Sequence, residues 1–510
     1  MKKKFSKLTV IALVLVLVLS SAVVSFGAGP SGIQVQYNGE IINFEDAVPK
    51  LIDGRTMVPY RQIVETMGAE VGYDNNTSTV SAVTDELEIK FVIGSKDIHI
   101  TKDGVTTIKQ TDVAPFVDMA TYRTYVPVRF LAETMGNYVG WDHGNQTAIV
   151  MDLDQLFAKA DEDFSILGML LTTNLDLEKA YETSGSFQAD IAMNVPGMPE
   201  GSDSMNFSMK GDLSGVQQKT DVDMVMDFSI DMDAAMDGLS PEEEAQMDAM
   251  LGMLQGINMK IKMDGERGDM YMNSPMFAMM DPTMNADSWF KMNLFETYDA
   301  MGMDLRPIME MDHSALKISE MLPLIFADMG NWDVNSYKNI NVGYEFLKNL
   351  LGDEAFKTTT VGNMKTHRLE LNETQIAAAA AKTALLEGIP ADMADLESMT
   401  SILKEMSLSC NMVIREQGGA LYDYSMKGSG SSDGFAISLD VEADNLESLI
   451  TMELVVKDIM KMSIEADSKM AETSKAPDLT LPEGAKVVDY SEYMLQMMEM
   501  SMPAPEPELP

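Results

Sequence analysis

A chain of 510 residues is longer than one hydrophobic core sustains, so two or three domains are expected. Its formal charge of -43 repels nucleic-acid phosphates and anionic lipid headgroups, which removes both from the credible partners. A single cysteine, Cys410, excludes an internal disulfide framework and any Cys-x-x-Cys metal site.

Residues 1–28 read as a signal peptide. Lys2, Lys3, Lys4 and Lys7 form a basic start, and Leu8 to Leu19 is an apolar run too short for a comfortable membrane span. Small residues from Ser25 to Ala28 offer a cleavage point after Gly27 or Ala28; an uncleaved anchor is the alternative. No cysteine follows the run, so a lipid-anchored form is not expected. Leu481-Pro482-Glu483-Gly484-Ala485 lacks the threonine and apolar tail of a sortase signal. No second apolar run reaches membrane length, so the mature chain is expected to be secreted or cell-wall associated, with no integral membrane domain.

Residues 29–152 carry an internal repeat. Arg55-Thr56-Met57-Val58-Pro59 returns as Arg123-Thr124-Tyr125-Val126-Pro127, and the match continues through Arg61 and Arg129, Gly68 and Gly136, and Tyr73-Asp74 and Trp141-Asp142. Each copy reads as strand, short helix, turn, strand. Pro59 and Pro127 are placed at the first helical residue, and Gly68 and Gly136 at a left-handed helix end. Ile63, Val64 and Met67 form an apolar stripe, as do Leu131, Ala132 and Met135. Tyr73 and Trp141 are expected to open the next strand, with Asp74 and Asp142 forming turns. Between the copies, Leu87 to Ile100 alternates and breaks at Gly94-Ser95, which suggests a hairpin. Arg61 and Arg129 repeat in register and point either to ion pairs with nearby carboxylates or to recognition of a wall polymer.

The repeated Arg-Thr-x-Val-Pro-x-Arg, with its glycine-capped helix and aromatic-Asp turn, resembles the copper amine oxidase N-terminal-like, or stalk, domains of exported proteins of Gram-positive bacteria. The resemblance covers about residues 33 to 152 and implies a non-catalytic appendage, without copper or oxidation. Amine oxidase chemistry needs a cofactor tyrosine in an Asn-Tyr-Asp/Glu context, which is absent, and clustered histidines. Here His99, His143, His313 and His367 are scattered.

Residues 153–180 read as a helical connector. Beyond it the period changes to two: Val222, Met224, Met226, Phe228, Ile230 and Met232 alternate with acidic and hydroxyl residues, as on a one-sided antiparallel strand. The pattern recurs at Phe187 to Val195, Met205 to Met209, Ile257 to Met263, Phe435 to Val441, Ile450 to Val456 and Met462 to Ala466. Apolar rows of this kind need cover, since each buried aliphatic side chain contributes roughly 1.5–3 kcal/mol. Helices expected at Leu316 to Phe326, Ser336 to Leu351, Thr374 to Glu387 and Asp392 to Lys404 supply it. Cys410 falls in the row Met406, Leu408, Cys410, Met412, Ile414 and is read as a small buried hydrophobe.

Asp269-Met270-Tyr271-Met272 with Ser288-Trp289-Phe290-Lys291-Met292, the Val361-Gly362 turn into Thr366 to Leu371, and the closing Leu479 to Ala485 resemble the lipoprotein-carrier fold of the LolA and LppX type over residues 181–490. That resemblance implies a half-barrel whose concave face holds an apolar, lipid-like ligand; a filled core without ligand is the alternative. Met224, Met226, Phe228, Met259, Ile261 and Met452 are the candidate cavity residues. Residues 491–510 form a Met-rich and Pro/Glu tail.

Methionine is abundant, at 48 residues. It suits plastic packing around a variable apolar ligand. Clusters at Met276, Met279, Met280 and Met284, and at Met494 to Met502, leave Cu(I) binding or oxidant buffering as a further reading. Gly430-Ser431-Ser432-Asp433-Gly434 fits a nucleophile elbow in letters only, because strands are expected on both sides. Carboxylates are too numerous for a catalytic pair to stand out.

The expected class is α+β: a small duplicated α/β stalk module followed by a large curved antiparallel sheet, a half-barrel covered by helices. The expected protein is a non-catalytic exported envelope component without metal or cofactor. Its partners would be a cell-wall polymer or envelope protein and a lipid-like ligand, with a ligand-free adhesion or scaffold role as the alternative.

Overall fold

A computed structural model of the chain describes residues 32–171, 178–194, 204–233, 254–280, 283–300, 316–327, 332–386 and 407–494, with isolated positions between them. The expected signal peptide, the helix at Asp392 to Lys404, Val195 and the tail beyond Met494 lie outside these residues. The described chain mixes helix and strand and is dominated by one large curved sheet.

The two copies of the repeat take up matching elements. Strand Arg55–Pro59, helix Tyr60–Thr66 and strands Glu70–Asp74 and Thr79–Val83 are answered by Arg123–Pro127, Val128–Thr134, Tyr138–Asp142 and Thr147–Met151. Each helix ends in a paired cap. The Gly68 and Gly136 amides donate to Glu65 and Glu133, and the next amides, of Ala69 and Asn137, donate to Val64 and Ala132. Closing that loop requires positive φ, which Gly68 (84°) and Gly136 (80°) supply without a Cβ penalty.

Two local expectations shift. Pro59 and Pro127 are the last strand residues and N-caps rather than first helical residues; their ψ values of 116° and 120° keep the chain extended for one more residue. Tyr73 and Trp141 come just before the end of their strands, and the Asp74 and Asp142 carboxylates then receive the amides of Asn76 and Asn145 to form the turn. The hairpin at Leu87–Val92 and Asp97–Lys102 is present, and an unanticipated strand, Val105–Gln110, extends it into a five-stranded sheet.

The copies join through their motif strands, with Val58 opposite Val126, Pro59 opposite Tyr125 and Met57 opposite Pro127. Gln34–Tyr37 closes the domain by pairing parallel with Thr147–Met151. The second copy then docks on the rest of the chain. Tyr138, Ile149 and Met151 join the large core, Trp332 packs over Gly140, and Asp142 Oδ2 accepts the Val334 amide at 3.2 Å. Tyr138 and Ile149 correspond to Glu70 and Ser81 of the first copy, so the docking face of the second copy is the more apolar one.

The connector forms three short helices, Leu153–Leu156, Ala160–Asp163 and Ser165–Leu171. The sheet after it has fourteen strands, all antiparallel neighbours except for Ser288–Asn293 and Lys486–Asp489, which pair in parallel at one edge. Its period-two rows fall on strands as expected, including Asp221–Asp233, Ile257–Asp264 and Glu447–Val456. Gly185, Gly211 and Gly215 share the apolar face. A Cβ on any of them would lie 2.2–2.4 Å from a neighbouring strand's carbonyl oxygen, so the strands there close more tightly than a side chain allows.

Among the described residues the helical cover sits over one end of the sheet. Helices Ile318–Ala327, Ser336–Leu351 and Glu373–Thr383 pack with Ser165–Leu171 on Leu369, Met412, Ile414, Met426 and Val441. They bury that end of the sheet, while residues farther along the same face stay partly exposed. Cys410 is buried in the covered part, and the Gly430 to Gly434 segment ends one strand and turns into the next.

Candidate functional site

The structure gives the repeat-motif residues defined local partners. Arg55 pairs with Asp112 and Arg123 with Asp46, each clamping a distant loop. Arg61 reaches Glu65 at 3.4 Å and Arg129 reaches Glu133 at 3.8 Å, one turn along the same helix and in water. Trp141 is partly buried against the domain core and meets the His143 ring edge-on at 6.4 Å.

A cleft of about 630 Å³ opens in the first copy between helix Tyr60–Thr66, strand Glu70–Asp74 and the loops around Asp46 and Tyr122. The repeat-motif residues Pro59, Arg61 and Arg123, with Tyr73, line it, whereas Tyr60 and Tyr122 were not singled out from the sequence. Tyr60 is 2 % exposed, and burial pushes its hydroxyl pKa up. Tyr122 stands on a hairpin tip. The only legible signal was a difference between the copies, Tyr60 against Val128 and Gln62 against Phe130.

On the large sheet, the six candidate cavity residues share one face. Met226 lies opposite Leu213 and Met259, Met224 opposite Gly215 and Ile261, and Phe228 opposite Gly211 and Ile257. Met452 belongs to the same face through the row Met452, Ile464, Ala189, Met209, Ile230, which crosses five strands. Because Gly211 has no side chain, the Phe187 and Phe228 rings meet across it, with centroids 6.4 Å apart. Phe228 is buried, whereas Met224, Met226, Met259, Ile261 and Met452 are only partly buried; the open cleft of about 540 Å³ beside Phe228 is lined mostly by polar residues of the opposite face, among them Gln188, Lys210, Asp212 and Asp227. Among the described residues the six therefore form a continuous apolar surface rather than a closed chamber.

A third cavity, of about 470 Å³, lies where the connector meets the sheet. His367 Nδ1 bonds Thr358 Oγ1 at 2.8 Å, while Nε2 has no hydrogen-bond partner and faces Glu416 at 4.0 Å. Lys365 neutralises Glu416 at 2.6 Å. Burial holds the imidazole pKa below its ordinary range.

Among the described residues no group of three or more His, Cys, Asp or Glu side chains is placed to hold a metal, and no helix is long and apolar enough to cross a membrane. Met276 is partly buried and Met284 buried; the side chains of Met279 and Met280 and the cluster beyond Met494 lie outside the described residues.

Residues 36–150 match the family model of the copper amine oxidase N-terminal domain, a non-catalytic accessory domain in those enzymes. No curated protein matches the chain. Among solved structures, two mutant forms of Rh. blastica porin are 8% identical, aligned over 57% of this chain and 99% of theirs, at TM-scores of 0.11 and 0.12. A likeness of that size says nothing about the fold.

Proposed function

We propose that the chain is a non-catalytic exported envelope protein in which a stalk-type domain attaches or spaces a curved sheet that presents an apolar face to a lipid-like ligand. The observation that carries this reading is the partly exposed row of methionine and aliphatic residues around Met226 and Met452, continuous across strands and beyond the helical cover. Apolar surface of that extent is unfavourable in water, and larger contiguous patches mark interaction sites. Methionine adapts its shape to chains of different length and branching. The acidic opposite face, with Asp227 and Asp231 exposed, keeps such a sheet in solution.

The half-barrel description of lipoprotein carriers suits this arrangement, and the repeat at residues 36–150 suits a mechanical role, because its motif arginines are taken up in ion pairs. Mass spectrometry of organic extracts from the purified chain tests the reading. Co-purifying lipid, or saturable uptake of a fluorescent fatty acid that Met226→Asp abolishes, supports it. An empty chain that takes up nothing leaves a ligand-free scaffold.

A further inference from the structure

We propose that the cleft of the first repeat binds a glycan strand. The inference rests on the attachment half of the function proposed above and names the surface and the chemistry that perform it.

Two tyrosines form the exposed walls. Tyr73 is 50 % exposed, and Tyr122 is 74 % exposed on a hairpin tip where the backbone sits at φ 57°. Rings of this kind supply large, rigid contact area with little rotamer entropy to lose. Tyr60 lies beneath them, its ring fixed edge-on against Phe91 at 5.1 Å and its buried hydroxyl without a hydrogen-bond partner. A buried hydroxyl left unpaired forfeits a hydrogen bond that an acceptor reaching it from the cleft would restore.

Charge then selects the ligand class. Arg61 is neutralised by Glu65 and Arg123 by Asp46, which leaves Glu45 as the unmatched charge of the wall. A polyanion gains nothing there, and the polar rim is wrong for an acyl chain. A sugar ring offers apolar C–H faces to the tyrosines and hydroxyls to the paired Arg and Glu groups and to Gln62. The second copy cannot do the same, because Val128 and Phe130 stand where the first has Tyr60 and Gln62.

Co-sedimentation of the full chain with insoluble peptidoglycan, chitin and cellulose tests the proposal. Binding to at least one, competed by soluble oligosaccharide, is expected. Tyr73→Ala with Tyr122→Ala should weaken it at least tenfold, and Tyr60→Phe by roughly three- to tenfold with an undiminished Tm, since removing an unpaired hydroxyl leaves the fold intact. The proposal is overturned if none of the three polymers is bound, if the double variant binds normally, or if peptidoglycan stem peptide competes and oligosaccharide does not. Sedimentation through another surface would retain attachment and exclude this cleft, and fatty-acid uptake by the sheet is unaffected by either result.

Discussion

Val58 and Val126, equivalent residues of the two copies, face each other across an antiparallel pair, and both are fully or almost fully buried. The neighbouring pairs exchange roles, Pro59 with Tyr125 and Met57 with Pro127, so a local two-fold axis passes through the valines as in an isologous dimer.

Truncation at this axis should therefore act on both copies. Val58→Ala or Val126→Ala is expected to cost about 2–3 kcal/mol from lost methyl burial and the residual cavity, measured by chemical denaturation. Arg61→Ala or Arg129→Ala, which removes an exposed pair on one helix, should stay within about 0.5 kcal/mol.

Docking of the second copy depends on Gly140 and Asp142. Gly140→Ala would place a methyl about 2.9 Å from the Trp332 ring, so faster proteolysis between the domains and a shifted tryptophan emission are expected while the sheet remains folded. Burial pushes the Asp142 carboxyl pKa up, but hydrogen bonds from Asn145, Val334 and Gly144 outweigh that and hold it below the ordinary value. The stabilisation is thus fully present above the unfolded carboxylate pKa and is lost as pH falls through the folded one. Protease susceptibility should rise there, and Asp142→Asn should remove that acid transition.

His367 predicts a separate acid limb. Burial lowers its pKa, with Glu416 opposing and Lys365 assisting, so the unfolded chain binds a proton before the folded one does. Stability is complete above the ordinary histidine pKa of about 6.5 and declines as pH falls toward the folded value. Denaturation midpoints between pH 7 and 5 should fall in the native chain and flatten in His367→Gln.

Cys410 should be inert. Burial pushes its thiol pKa up to about 11, so a thiol reagent at pH 8 should label the denatured chain and spare the native one. Labelling of the native chain within minutes would show that the helical cover over Met412 and Ile414 opens readily.

Much of this architecture could be read from local pattern. The repeat, its glycine caps and the helix at Ser336–Leu351 were explicit in the spacing, and alternation marked Asp221–Asp233 and Glu447–Val456. Lys357–Val361 was hidden because Lys-Thr-Thr-Thr-Val has no alternation, and the parallel pairing of Gln34–Tyr37 with Thr147–Met151 because it joins distant segments. Periodicity identified which side chains share a face but not how far the described helices reach along it, and Met226, expected under cover, lies partly exposed. Tyr60 and Tyr122 were unreadable for a similar reason: only the fold sets them around one cleft.

Methionine-resolved oxidation footprinting, with and without a long-chain fatty acid, tests the ligand-bearing face most directly. Met224, Met226, Met259 and Met452 should oxidise in the empty protein and become protected together as ligand saturates, while buried Met57 and Met151 stay unreactive throughout. Unchanged oxidation of those four at saturating fatty acid would contradict the account.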